Sequence, residues 1–171
     1  MNDGKNMFRS THPRKQNSVE SRIQIGWREW VALPELGISA LKAKIDTGAR
    51  TSALHAFMVE PFEEQGRKRV RFGIHPFQRR VDREIYCVAD VHDQRWVSDS
   101  GGHREQRIVI LTPLRMGGVE WPIELTLTNR DTMRFRMLLG RTGMQDRFEI
   151  HPDRSYLLGK ASKRSPSGAE S

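Results

Sequence analysis

A single aspartate is the first residue with the means to do chemistry. In AKIDTGARTSAL, residues 43–54, an apolar run ends on Asp46 and passes at once into Thr47, Gly48 and Ala49. A carboxylate that leaves a strand into a glycine turn has two uses. Asp and Gly are common turn residues, so Asp46 could serve only to form an Asx-type turn. The other use is hydrolysis. Cutting a peptide bond with carboxylates needs two of them side by side. One is ionised and takes a proton from water; the other is protonated and donates to the carbonyl oxygen. Like charges in close contact cannot both ionise easily, so the pair shares a proton. The chain has one D-T-G, so a symmetric homodimer would have to supply the second carboxylate.

Other chemistries lack their residues. There is no G-x-x-x-x-G-K-[ST], no H-E-x-x-H, no C-x-x-C and no G-x-S-x-G, which argues against a phosphate loop, a standard zinc site and a serine nucleophile elbow. Histidines 55, 75, 92, 103 and 151 are scattered. In ADVHD, Asp90 and His92 would share one face of a strand and could share a metal, but a surface strand with polar side chains outward is the favoured account. No metal ligands and no cofactor are expected. Cys87 has no base beside it and reads as a buried apolar residue.

The elements that must position Asp46 read as strands. Leu41, Ala43 and Ile45 alternate with Lys42, Lys44 and Asp46, and Trp121, Ile123, Leu125 and Leu127 alternate with polar neighbours in EWPIELTLT. This is a period of two, with Pro122 marking an edge. RVRFGI, IYCVADV and IVIL are further strand-like runs, separated by glycine turns at 37, 66, 101–102 and 117–118. Only GRTGMQDRF, 140–148, looks helical. The expected fold is mostly β, a barrel or sandwich of short strands.

At 171 residues the chain is most simply one domain. No run has the length to span a membrane, the first residues have no apolar signal region, and the lone cysteine forbids an intrachain disulfide. A cytoplasmic location is expected, with no membrane partner. The net charge of +8 invites a nucleic-acid partner. However, Lys5, Arg9, Arg14, Lys15 and Arg22 against Asp3 and Glu20 give +3, and Lys160, Lys163 and Arg164 against Glu170 give +2. Most of the excess thus lies in residues 1–22 and 160–171; two polar tails, 1–21 and 160–171, are expected to be disordered around a domain at 22–159. Solvated tails explain the charge, and a nucleic-acid partner is not expected.

A second segment makes the reading specific. FRMLLGRTGM, residues 135–144, lies about ninety residues after AKIDTGA. The pair resembles the retropepsin pattern: D-T-G-A early, then an apolar-apolar-Gly-Arg segment before a helix. RWVSDSGGHREQRIVIL, 95–111, has two strand-like arms about a glycine-rich tip at the family's flap position. Residues 57–90 look like an insertion relative to the viral enzymes. IGWREWVALPELGISALKAKIDTGARTSALHA, RFGIHP and LLGRTGM are similar to a bacterial group of retropepsin-like aspartic proteases. These carry the label ATP-dependent zinc protease and are associated with RimK-type amino-acid ligases.

The resemblance implies a retropepsin-like closed β-barrel with one short C-terminal helix, and a homodimeric aspartic endopeptidase that cuts peptide or protein substrates. It implies Asp46 as the catalytic carboxylate. Thr47 would brace the two loops across the dimer axis, Gly48 would allow close approach, and Ala49 completes the motif. Gly140 and Arg141 would support the loop. Asp99, Ser100, Gly101, Gly102 and His103 are candidates for substrate contact on the flap. Arg50 departs from the acidic residue familiar after D-T-G-A in viral enzymes and would favour ionisation of Asp46. The implied partners are a second copy of the chain and a RimK-type ligase pathway. The alternative is a non-catalytic peptide- or partner-binding module on the same barrel; a metal-dependent hydrolase using the His and Asp residues is a third reading.

Overall fold

In the computed structural model, residues 21–98, 101–130 and 133–160 are described. The expected tails, except Ser21 and Lys160, and the flap residues Asp99 and Ser100 lie outside them. Alternating apolar side chains give twelve strands. These are β1 (Ile23–Gly26), β2 (Arg28–Leu33), β3 (Ile38–Ile45), β4 (Ser52–His55), β5 (Met58–Glu64), β6 (Arg67–Ile74), β7 (Ile85–Asp90), β8 (Asp93–Ser98), β9 (Arg104–Met116), β10 (Val119–Thr128), β11 (Met137–Leu139) and β12 (Phe148–His151). One short helix, α1, spans Arg141–Met144. The fold is mostly β with a single helical turn near its C-terminal end, as expected.

The principal sheet runs β10-β4-β11-β3-β2-β9-β8, and β9 also pairs with β10. Those pairings return on themselves as a ring of six strands with β8 hung outside it. The seam between β2 and β9 is thin, resting on one residue pair, Ala32 with Arg115. Leu41, Ala43, Leu54, Ile110, Leu125 and Met137 fill the interior. The period-two reading holds for β3. In β10 it holds for the first half, where Pro122 lies opposite Pro113 and β9 is the neighbour. The second half is flanked by β4 as well, and there Thr126 and Thr128 are buried too. The outward face is covered there too, with Thr126 Oγ1 donating to Ser52 O and Thr128 Oγ1 to the Glu105 carboxylate.

Residues 58–90 form a separate three-stranded antiparallel sheet, β5-β6-β7. It turns Val70, Phe72, Ile74 and Cys87 into the core and keeps the Arg69–Asp90 pair outside. Cys87 is buried, as read from the sequence, and burial pushes its thiol up to about 11. A third small sheet pairs β1 with β12 in parallel. Beside it the buried Glu29 carboxylate accepts the backbone N–H of Gly26 at 2.8 Å and of Leu157 at 2.9 Å. These bonds tie the last described residues to the first strands. Among the described residues no helix is long and apolar enough to cross a membrane.

Candidate active site

Asp46 follows the last residue of β3. Its backbone N–H donates to Leu139 O at 2.9 Å, so the parallel pairing of β3 with β11 continues to the aspartate itself. The chain then turns sharply. Asp46 Oδ1 accepts from Gly48 N at 3.1 Å, and Asp46 O accepts from Ala49 N at 3.3 Å. A Cβ on Gly48 would stand 3.3 Å from Asp46 Oδ1, tight against the carboxylate that the turn presents.

The loop is held from the far end of the sequence. Ala49 O accepts from Arg141 N at 2.9 Å, Arg50 O accepts from Thr142 N at 2.9 Å, and the Arg141 guanidinium donates to Thr47 O at 2.9 Å. Gly140 makes this approach possible, since a Cβ there would lie 2.6 Å from the Thr51 backbone carbon. A side chain at that distance forces backbone to move. Gly140 and Arg141 therefore sit against the Asp46 loop. The Thr47 side chain is exposed.

Ser52, which the sequence reading passed over, is the hidden member. It is fully buried. Its Oγ accepts from Gly140 N at 3.0 Å, and its carbonyl accepts from Thr126 Oγ1 at 3.0 Å. One small residue thus joins β4, β10 and the start of α1. Its signal was its place in DTGARTSAL, where the small residues after the turn must fit between two strands.

Asp46 opens onto a cleft of about 980 Å³. Ala53, Thr126 and Leu138 line one side, and Arg95, Trp96, Val97 and Ser98 of β8 line another. β8 and β9 form an antiparallel hairpin with Ser98 opposite Arg104, where two arms about a glycine tip were expected. Gly101, Gly102 and His103 lie exposed at its end and do not line the cleft. The cleft is reached instead by the inward positions of the arms.

Those positions carry charge that the sequence reading did not single out. Arg95 and Arg107 are directly opposite each other. Like charges so placed repel, and each is matched by acids. Arg95 forks onto both oxygens of Glu124, at 2.6 and 2.7 Å, and also bonds Asp93. Arg107 bonds Glu105, which accepts from Thr128 Oγ1 at 3.0 Å. The Arg95 hydrogen bonds hold the Glu124 carboxyl below the usual carboxylate range. Charges recurring at every second position, 93, 95, 105 and 107, were the available signal. Arg50 and Arg130 also border the cleft.

A zinc centre does not fit these residues. Among the described residues no three of His, Cys, Asp or Glu converge as a ligand set. His92 does approach Glu124, at 3.4 Å, but that carboxylate is already taken by Arg95. Asp90 bonds Arg69 instead of sharing a site with His92.

Known proteins match this arrangement. The chain is 48% identical over 143 residues to a Desulfotalea psychrophila protein named "Probable alpha-L-glutamate ligase", covering 82% of this chain and 30% of that one. A protein of the same name from Shewanella pealeana is 43% identical over 141 residues, covering 82% and 31%. The chain thus spans about 30% of the length of these curated relatives. A crystal structure of a Legionella pneumophila protein of unknown function superposes with a TM-score of 0.67 at 24% identity, covering 81% of this chain and 99% of that one, which shows the shared fold. A family model described as "Retropepsin-like aspartic endopeptidase RimB" matches residues 24–161. The chain belongs to this RimB-like family of retropepsin-like aspartic endopeptidases.

Proposed function

We propose that this chain is an aspartic endopeptidase that works as a two-fold homodimer, with Asp46 of each copy forming the catalytic pair. The observation that carries the reading is Asp46 at the edge of a large cleft, on a loop braced by Leu139, Arg141 and Ser52. A rigid mount is what a general base needs, because proton transfer depends on geometry before it depends on pKa. Across the two-fold axis, Thr47 would meet its counterpart. One Asp46 would take a proton from water, and the other would donate to the scissile carbonyl. The β8–β9 hairpin would close over the peptide and exclude solvent.

The cleft suits an acidic peptide. Arg50 and Arg130 border it together with Arg95 and Arg107, whose own acids are Asp93, Glu124 and Glu105, and guanidinium groups bind carboxylates in forks. The relatives named as glutamate ligases point the same way, linking the chain to a RimK-type pathway in which glutamate is added. The isolated, buried Cys87 agrees with a cytoplasmic setting.

A second reading is a binding module that keeps the barrel and holds a peptide or a ligase without cutting it. It is favoured by the ligase names of relatives in which the matched stretch is about 30% of the protein. Turnover of glutamate-rich peptides by wild type and by Asp46→Asn decides between the two. Loss of the base should cost roughly 10²- to 10⁴-fold or more, with fold and dimer intact. Equal turnover by a folded Asp46→Asn dimer would end the protease reading, and tight peptide binding without turnover by wild type would establish the module.

A further inference from the structure

We propose that Arg95 is the residue that selects glutamate side chains in the cleft, and that Glu124 occupies its fork until a peptide carboxylate displaces it. The inference rests on the reading of the cleft as a site for an acidic peptide, and it names the group that reads the peptide.

Arg95 is placed for this role. Asp93 pairs with Val109 across the hairpin, and Val109 pairs with Thr126 of β10. Side chains two positions apart on a strand share a face, so Arg95 and Glu124 stand on the face that carries Thr126. All three border the cleft with Asp46. The two terminal nitrogens of Arg95 fork onto Glu124 at 2.6 and 2.7 Å, and its Nε bonds Asp93. A fork is the arrangement in which a guanidinium holds a carboxylate most firmly. Here a glutamate of the chain itself fills it. A glutamate of a peptide takes the same fork by displacing Glu124.

Two contrasts single out this pair. Arg107, directly opposite, has 9% of its side chain exposed, whereas Arg95 has 34%. Of the two, Arg95 is the one within reach of a peptide. The second contrast is between the two acids on Arg95. Asp93 is also held by the backbone N–H of Gln94 at 2.8 Å, which fixes it to its own strand. Glu124 has His92 Nε2 at 3.4 Å from its Oε1. Pushed off Arg95, Glu124 turns to His92 and is not left as a stranded charge.

The exchange discriminates between peptides. A glutamate side chain replaces Glu124 like for like. A glutamine brings a neutral oxygen and an amide N–H that opposes the guanidinium donors, so it gains nothing by displacing Glu124. The internal carboxylate thus acts against the wrong peptide while Arg95 acts for the right one.

The test measures binding to the full chain carrying Asp46→Asn, so that no peptide is cut. The probe is a fluorescein-labelled oligoglutamate with an amidated C-terminus, which leaves only side-chain carboxylates; oligoglutamine of equal length is the neutral control. Arg95→Gln should bind oligoglutamate at least about tenfold more weakly, through loss of a charge-assisted fork. Glu124→Gln should bind it about three- to tenfold more tightly, because the internal competitor has lost its charge. That gain should vanish when Arg95→Gln is added, and oligoglutamine binding should stay the same throughout. If Glu124→Gln does not fold, Glu124→Asp, whose carboxylate is drawn back by one carbon, should show the tightening in smaller measure. Equal or weaker oligoglutamate binding by a folded Glu124 variant, or no binding by any chain, would overturn the proposal and leave Glu124 as a strut. A gain that persists without Arg95 would overturn it in favour of net charge. Cleavage by the chain with Asp46 intact is read separately. Tightening by Glu124→Gln in a chain that cuts nothing supports this proposal and ends the protease reading; cutting without tightening does the reverse.

Discussion

Ser52 and Gly140 hold the Asp46 loop in place, and both act through the space they leave or fill. Ser52→Ala keeps the volume nearly constant but strips the acceptor from the buried Gly140 N–H. An unsatisfied buried donor costs about 1–3 kcal/mol, so the melting temperature should fall by several degrees and peptide turnover should drop with it. Gly140→Ala should be worse for turnover than for stability. Its new methyl meets the Thr51 backbone rather than a movable side chain, so relief must come from shifting the Asp46 loop. A stability loss of about 1–3 kcal/mol with turnover intact in the folded variant would show that the loop tolerates the shift. Cys87 supplies a separate check. With its thiol pushed up by burial, a disulfide reagent at neutral pH should label it after denaturation and not before. At this scale Asp46, Gly48 and Gly140 were legible because their types are unusual for where they stand. Ser52 was not, since a serine in a small-residue run carries no mark of the backbone atoms it will meet.

The β8–β9 hairpin is anchored at its base. Arg95 bridges from β8 to Glu124 of β10, and this strut should depend on pH. The Glu124 carboxyl is held low in the fold, chiefly by the Arg95 hydrogen bonds. Its contribution is therefore fully present above the unfolded value of 4.5 and is lost as pH falls through the lower folded value. Glu124→Gln should cost about 1 kcal/mol at pH 7, and the difference from wild type should vanish in acid. Parallel melts from neutral to acid pH measure it; a gap that persists in acid would assign the loss to packing. Beyond the base, peptide should slow hydrogen exchange along the parts of the arms that line the cleft, residues 95–98 and Arg107. The strands were legible from their period of two, and the hairpin from its glycines. The buried second half of β10 was not, because the groups that cover it come from far off in sequence: Ser52 meets Thr126 and Glu105 meets Thr128.

At the scale of the whole molecule, the proposed Asp46 pair makes association the condition of activity, because each chain supplies one D-T-G. An isologous dimer about the Asp46 loop is the simplest closed arrangement. Turnover per chain should therefore rise with protein concentration as monomer gives way to dimer, and sedimentation over the same range should show the two changes together. Activity in a species that sediments only as monomer would refute the shared pair. Chelators should leave turnover unchanged, and inhibition relieved by added zinc would return the metal reading. The class of fold was legible from alternation alone. The separate β5-β6-β7 sheet was foreshadowed only as an insertion, because apolar alternation reports that a strand has a buried face and not which sheet it joins.

The bonds that shape the Asp46 loop also set an order in time. Gly140 reaches Ser52 across 88 positions, and Arg141 reaches Thr47 across 94. A chain emerging from the ribosome carries its aspartate long before it carries the residues that fix it, and contacts this far apart close late in folding. Until they close, the carboxylate sits on a slack loop with no defined water or partner before it. On the proposed protease reading, a growing polypeptide of this sequence therefore carries no assembled active site during synthesis.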